Sequence, residues 1–183
     1  MRIELNKALF ELLRRSWFAV LIFSLSIGGS TVTAAVRPNI VIILADDLGY
    51  GSLNSYGANP SHLRTPSIDR LAEQGRRFTD ANTPSSVCSP TRYGLLTGRY
   101  DWRTNQKHGV INTTDPLHID TSRPTIASLL KSTGYRTAAI GKWHLGYGTE
   151  KADFTKPLTP GPLDIGFDYH FAVPQNHGDA SGV

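Results

Sequence analysis

Three groups of residues have types and spacings that could do chemistry. Asp46 and Asp47 are adjacent carboxylates, which repel one another unless a cation joins them, and oxygen ligands suit a hard ion such as Ca²⁺ or Mg²⁺. Cys88, the only cysteine, precedes Arg92 by four residues. That spacing puts both on one face of a helix, where the positive potential of a helix N-terminus and a fixed guanidinium suit a nucleophile acting on an anionic substrate. Lys142 and His144 flank Trp143, and strand geometry sends the two to the same side, a cation beside a proton carrier.

Each group has a plainer reading when taken alone. The two acids fit a solvated loop entry, Cys88 a buried bystander or an intermolecular partner, Lys142 a solvated strand end and His144 a satisfied buried histidine, while a simple thiolate is the rival functional reading of Cys88. Their joint occurrence in one chain is what points to a site.

The elements that must position them follow from local pattern. Residues 39–45 (NIVIILA) are an almost unbroken β-branched run, predicting a buried parallel strand with Asp46 and Asp47 at its carboxyl end, where open α/β sheets build their sites. In a regular strand the two acids point to opposite faces, so sharing an ion requires a turn, which Gly49 and Gly51 make available. After a Gly- and Asn-rich loop over 49–59, Thr65 as cap, Pro66 at the first helical position and Gly75 as stop predict a helix over 65–74. Residues 77–81 read as a second strand. Pro90 pre-sets a first turn that places Cys88 at or just before the N-terminus of a helix running through 93–97 to Gly98. A further helix starts at Arg123, Pro124 and Thr125, carries apolar Ile126, Leu129 and Leu130, and ends at Gly134. Residues 135–140 then form a strand running into 141–146. From 149 to 183 the chain reads as loop, with Phe167, Tyr169 and Phe171 as packing anchors. Strands alternating with helices predict an α/β three-layer sandwich.

Composition narrows the class. The 183 residues suffice for one domain, and the 39% hydrophobic content is ordinary for a globular protein. Five of the 19 basic residues (Arg2, Lys7, Arg14, Arg15 and Arg37) precede residue 38, so the rest is near neutral despite a net charge of +4, which argues against a nucleic-acid partner. Residues 1–35 read as a cleaved signal peptide: basic Arg14 and Arg15, an apolar run from Trp17 to Ile27, then Thr33, Ala34 and Ala35. The run falls short of the roughly 20 residues that span a bilayer, so no stable membrane anchor is expected. The expected location is secreted or periplasmic, or lysosomal in a eukaryote. With one cysteine an exported chain has no internal disulfide, which makes Cys88 a residue to explain.

At these residues the chain resembles the sulfatase family. Cys88-Ser89-Pro90-Thr91-Arg92 fits that family's C-x-P-x-R signature, extended by Tyr93-Gly94-Leu95-Leu96-Thr97-Gly98. Gly141-Lys142-Trp143-His144-Leu145-Gly146 fits the second signature, and Pro38 to Gly49 fits the family's opening. The resemblance runs collinearly over about residues 37–171. It implies an alkaline-phosphatase-like fold hydrolysing sulfate esters, with Cys88 oxidised by formylglycine-generating machinery to formylglycine, whose hydrate is both nucleophile and metal ligand. Asp46 and Asp47 would bind the metal, Ca²⁺ ahead of Mg²⁺; Arg92 would hold the formylglycine; Lys142 and His144 would contact the sulfate of a small-molecule or carbohydrate substrate. Asn176 and His177 match a polar sulfate contact of some relatives only loosely. The family's remaining metal ligands lie later in its chains, and 178–183 carry no closing element, so residues 36–183 are expected to be the N-terminal part of a catalytic domain, truncated at the C-terminus and inactive alone. The rival activities are a phosphoester or phosphonate hydrolase of the same superfamily and a non-catalytic oxyanion-binding remnant. Cysteine at the nucleophile position favours sulfate over phosphate.

Overall fold

The computed structural model describes residues 37–175, which places the signal peptide reading, Asn176, His177 and residues 178–183 outside the described residues. The chain divides into two units, 1–44 and 45–183. Of the first, the described residues 37–44 form neither helix nor strand, and Val41 and Ile43 are 81% and 86% exposed. This corrects the strand expected over 39–45. Apolar β-branched content fixes which surface seeks burial, whereas a strand exists only where a neighbouring ladder pairs its N–H and C=O groups, and no described residue supplies one. The segment 77–81 is likewise non-strand for want of a partner.

The second unit contains α1 (Pro66–Gln74), α2 (Cys88–Thr97), α3 (Ile126–Ser132), β1 (Ala138–Lys142) and β2 (Tyr169–Val173), joined by loops and short 3₁₀ turns. The helix boundaries follow the sequence signals. Pro66 opens α1, and Gly98 ends α2 in the left-handed region at φ 63°. Thr125 caps α3 through a reciprocal box in which its hydroxyl accepts from the Ser128 N–H and the Ser128 hydroxyl accepts from the Thr125 N–H. Thr65 differs: its hydroxyl engages Asn54 and the Asp69 carboxyl instead of capping α1. No helix among the described residues is long and apolar enough to cross a membrane.

β1 and β2 pair in parallel, Ala138 against Tyr169 through Lys142 against Val173. β2 lies where a loop was expected, and it turns Tyr169 and Phe171 outward, 55% and 73% exposed, so only Phe167 of the three expected anchors packs on the core. The ladder continues past β1, with Trp143 N–H donating to Val173 and His144 N–H to Pro174. The core gathers Tyr93 of α2, Ile119, Trp143, Leu145, Tyr147 and Ile165, with the Trp143 indole edge-on to Phe167 at 6.4 Å and donating to the Gly146 carbonyl. Residues 143–147 are therefore buried on every side, which fixes the segment that carries His144. The small parallel sheet with its helices is an α/β arrangement.

Two substitutions test that fixing. At Gly146 (φ 75°) an added Cβ would lie 2.0 Å from the Pro116 carbonyl oxygen, whereas at Gly141 (φ 101°) it would meet nothing. Left-handed backbone costs a non-glycine residue about 1–2 kcal/mol, and overpacking against rigid backbone adds about 1–3 kcal/mol. Gly146→Ala should therefore lower unfolding stability in urea by about 3 kcal/mol or more, and Gly141→Ala by about 1–2 kcal/mol. Equal losses would show that the Pro116 approach carries no weight.

A surface clasp ties α3 to the sheet. The Asp168 carboxylate accepts from Lys131 at 2.8 Å and from the Thr137 N–H at 2.9 Å. Lys131 foremost, with Thr137, holds its pKa down at about 2, against an ordinary 3.8. A depressed acid contributes stability that is present above pH 3.8 and disappears as pH falls through about 2. Asp168→Asn should thus be less stable than the parent at pH 6, and the two should converge near pH 2; a constant gap across that range would contradict the clasp.

Candidate active site

α2 begins at Cys88, with Val87 extended before it, so the thiol stands at the helix N-terminus. One turn on, Arg92 shares its face, and both reach Asp46. The Cys88 S–H lies 3.5 Å from Asp46 Oδ1, and an Arg92 terminal nitrogen donates to Asp46 Oδ2 at 2.7 Å. Lys142, the last residue of β1, closes the group: its Nζ is 2.8 Å from Asp46 Oδ2 and donates to Cys88 Sγ at 3.1 Å. Arg92 also donates to the Lys142 carbonyl at 2.5 Å, locking helix to strand end.

These contacts set the charges. The Lys142 hydrogen bond, with Arg92 and against partial burial, holds Asp46 down at about 2. Burial pulls the Lys142 ammonium down, but Asp46 and Cys88 more than offset it and leave its pKa raised. Lys142 and Arg92 side chains are only 11% and 13% exposed, so both cations sit largely out of water against one carboxylate. Lys142 is accordingly no solvated strand end.

His144 is buried, and its backbone, φ 54°, lies in the left-handed region that non-glycine residues enter rarely. Its Nε2 is 3.0 Å from the Ile111 carbonyl, while its Nδ1 is buried with no partner among the described residues. Burial foremost, then the nearby Lys142 and Arg92 cations, push its pKa below the ordinary value against the Ile111 carbonyl. The plainer reading of a satisfied histidine holds for one nitrogen only.

Asp47 differs from the other site residues. It takes the turn itself, at φ 54°, whereas Gly49 is extended at φ −71°. The turn expected of Gly49 and Gly51 thus falls two residues earlier, at an Asp, a type that tolerates left-handed backbone. Asp47 is exposed, with no hydrogen bond or ion pair among the described residues, and no three His, Cys, Asp or Glu side chains there converge on a metal position. The structure therefore unites Asp46, Cys88, Arg92 and Lys142, with His144 alongside.

Sequence reading missed the Ile111 carbonyl, since a backbone acceptor leaves no side-chain signal. It also missed the pair of buried Asp101 and half-buried His118, 2.6 Å apart beside Tyr93; seventeen residues separate them, and no local period links them.

Known proteins bear on this geometry. The Sulfatase family model matches residues 38–180. An N-acetylgalactosamine-6-O-sulfatase of Bacteroides thetaiotaomicron is 48% identical over 139 residues, 75% of this chain and 27% of that protein. Human arylsulfatase A is 42% identical over 146 residues, 80% and 27% of the two chains. Among solved structures, a Bacteroides thetaiotaomicron protein designated BT33336S-sulf, from work on the metabolism of multiple glycosaminoglycans, superposes with a TM-score of 0.73 at 48% identity, covering 76% of this chain and 29% of that one. Ps i-CgsB in complex with k-i-k-neocarrahexaose gives 0.63 at 33% identity, covering 75% and 28%. The chain spans about a quarter of the length of the curated relatives it matches. A family match over most of the chain, with the two signature segments brought together at Cys88 and Lys142, has one meaning: this chain belongs to the sulfatase family.

Proposed function

We propose that the protein hydrolyses sulfate esters at the site formed by Cys88, Arg92, Lys142, His144 and Asp46. The observation that carries the reading is the convergence of two largely buried cations on Cys88 and Asp46 at a helix N-terminus, a setting that stabilises negative charge developing on a tetrahedral oxyanion.

The roles follow from donor counts. Lys142 has three N–H donors and spends them on Asp46 and Cys88 with one in reserve, and Arg92 presents a planar fork. Both can hold sulfuryl oxygens. With Nε2 held by the Ile111 carbonyl, the neutral form of His144 has a bare Nδ1, which can accept a proton but not donate one. Asp46 and Asp47 offer adjacent hard oxygens, which fit Ca²⁺ or Mg²⁺ in kind and supply part of the six to eight ligands Ca²⁺ usually takes. A divalent cation held there would supply Lewis-acid stabilisation of negative charge. Formylglycine at position 88 would supply a hydrated aldehyde as oxygen nucleophile, which a thiol does not.

The reading extends to substrate and location. Relatives named for N-acetylgalactosamine-6-O-sulfate and bound to a carrageenan-type oligosaccharide support a sulfated carbohydrate as substrate. Basic Arg14 and Arg15, the apolar run from Trp17 to Ile27 and small Thr33, Ala34 and Ala35 support a cleaved signal peptide over residues 1–35, and hence export. The α/β unit would belong to a three-layer, alkaline-phosphatase-like sandwich.

The test is to incubate the complete protein, produced with formylglycine-generating machinery and Ca²⁺, with an aryl sulfate and the matching aryl phosphate. Preference for the sulfate is expected; preference for the phosphate would replace the reading with a phosphoester hydrolase. Lys142→Ala should depress turnover while leaving bound metal near normal, as measured by elemental analysis, whereas Asp47→Asn should lower both.

A further inference from the structure

We infer that Ser89 is a positioning residue, whose hydroxyl, acting through the main chain of Ile111, fixes the orientation and tautomer of His144. The inference deepens the proposed function and rests on it only in taking His144 as a working group at Cys88.

Ser89 follows Cys88 in the first turn of α2 and is fully buried. Its Oγ accepts the Ile111 N–H at 3.3 Å across 22 residues of sequence. Ile111 is itself buried at 4% exposure, and its carbonyl faces His144 Nε2 at 3.0 Å. A carbonyl oxygen only accepts, so Nε2 must carry the ring proton, and in a neutral imidazole Nδ1 is then a bare lone pair. That atom is buried and unpartnered among the described residues, and the ring as a whole senses the charges of Lys142, Arg92 and Asp46.

The three residues form one train: hydroxyl, peptide segment, imidazole. The helical turn that presents Cys88 thereby also sets which nitrogen of His144 is free. Without the hydroxyl, the Ile111 N–H is left buried with nothing to donate to, and the segment must move or admit water to satisfy it. Either response loosens the carbonyl that holds His144. Arg92 and Lys142 keep their own contacts with Asp46 in that case, which separates this role from charge stabilisation.

The experiment is long-range proton–nitrogen NMR of the ¹⁵N-labelled full chain at pH 7, with His144 assigned by its loss in His144→Gln, alongside aryl sulfate kinetics of the complete protein. In the parent, the Nε2–H tautomer is expected, with the ring proton protected from exchange with water. Ser89→Ala should cut that protection about tenfold, roughly what one lost hydrogen bond amounts to, and lower kcat by a similar factor with KM little changed. Ser89→Thr, which keeps a hydroxyl, should restore both. An Nδ1–H tautomer in the parent would overturn the inference without any variant having to fold. So would parent-like exchange in Ser89→Ala, or a Ser89→Thr protein that behaves as the alanine variant. Intact coupling in a parent that turns over no sulfate ester would support the positioning role and tell against the proposed function instead.

Discussion

Cys88→Ala should abolish sulfate-ester hydrolysis in the complete protein, a loss of about 10⁴-fold or more in kcat, while leaving the fold in place. The size follows from what the position supplies: with no side-chain precursor at 88 there is no nucleophile, and Lys142 and Arg92 are left holding an anion that nothing attacks. The fold should survive because Cys88 is only half-buried and spends its sulfur on contacts with Lys142 and Asp46, which keep each other as partners at 2.8 Å. Cys88→Ser is the sharper control, since it keeps size and polarity but, in machinery specific for cysteine, leaves a plain hydroxyl. Circular dichroism and urea unfolding report the fold, and aryl sulfate release reports the activity. Turnover within tenfold of the parent in Cys88→Ala would show that the reaction runs elsewhere.

Asp46→Ala has the largest expected effect on stability among the site variants. It strips the one carboxylate from between two largely buried cations, Lys142 and Arg92, which bind the same oxygen. Removing one partner of a buried ion pair costs about 3–5 kcal/mol because the remaining charge is left uncompensated. Asp46 itself is 31% exposed, so water takes up part of the loss, and about 2–4 kcal/mol is expected. The distinguishing signature is the cycle with Lys142→Met: removing the ammonium as well relieves the repulsion from Arg92, so the double variant should be more stable than the sum of the single losses predicts, by about 1–3 kcal/mol. Additive losses would mean that the pair is not coupled. Because Asp46 stays ionised down to about pH 2, its contribution is present above pH 3.8 and vanishes as pH falls through that lower value, so parent and variant should approach one another in strong acid.

Those two variants sit where the sequence was most legible. Pro90, the four-residue step from Cys88 to Arg92 and Gly98 encode α2 locally, and Thr125 with Ser128 encodes the start of α3; each signal needs only its neighbours. The acid pair at 46 and 47 was visible as chemistry, yet its backbone was not, since the left-handed turn falls on Asp47 rather than on a glycine. Strands were read less well because pairing is non-local. Residues 39–45 have the composition of a buried strand and no ladder partner among the described residues, while Tyr169–Val173, set among Pro, Gly and Asp, pairs with Ala138–Lys142 and points its aromatics outward. The train from Ser89 through Ile111 to His144 depends on a backbone carbonyl 33 residues away, which no residue type announces.

The most direct test of the central claim is the mass of the peptide that carries Cys88, taken from protein made in a host with formylglycine-generating machinery. Conversion of CH₂SH to CHO lowers that mass by about 18 Da, and the same peptide should react with a hydrazide probe. A peptide of unaltered mass, unreactive to the probe and carrying a free thiol, would contradict the assignment of Cys88 as the precursor of the nucleophile.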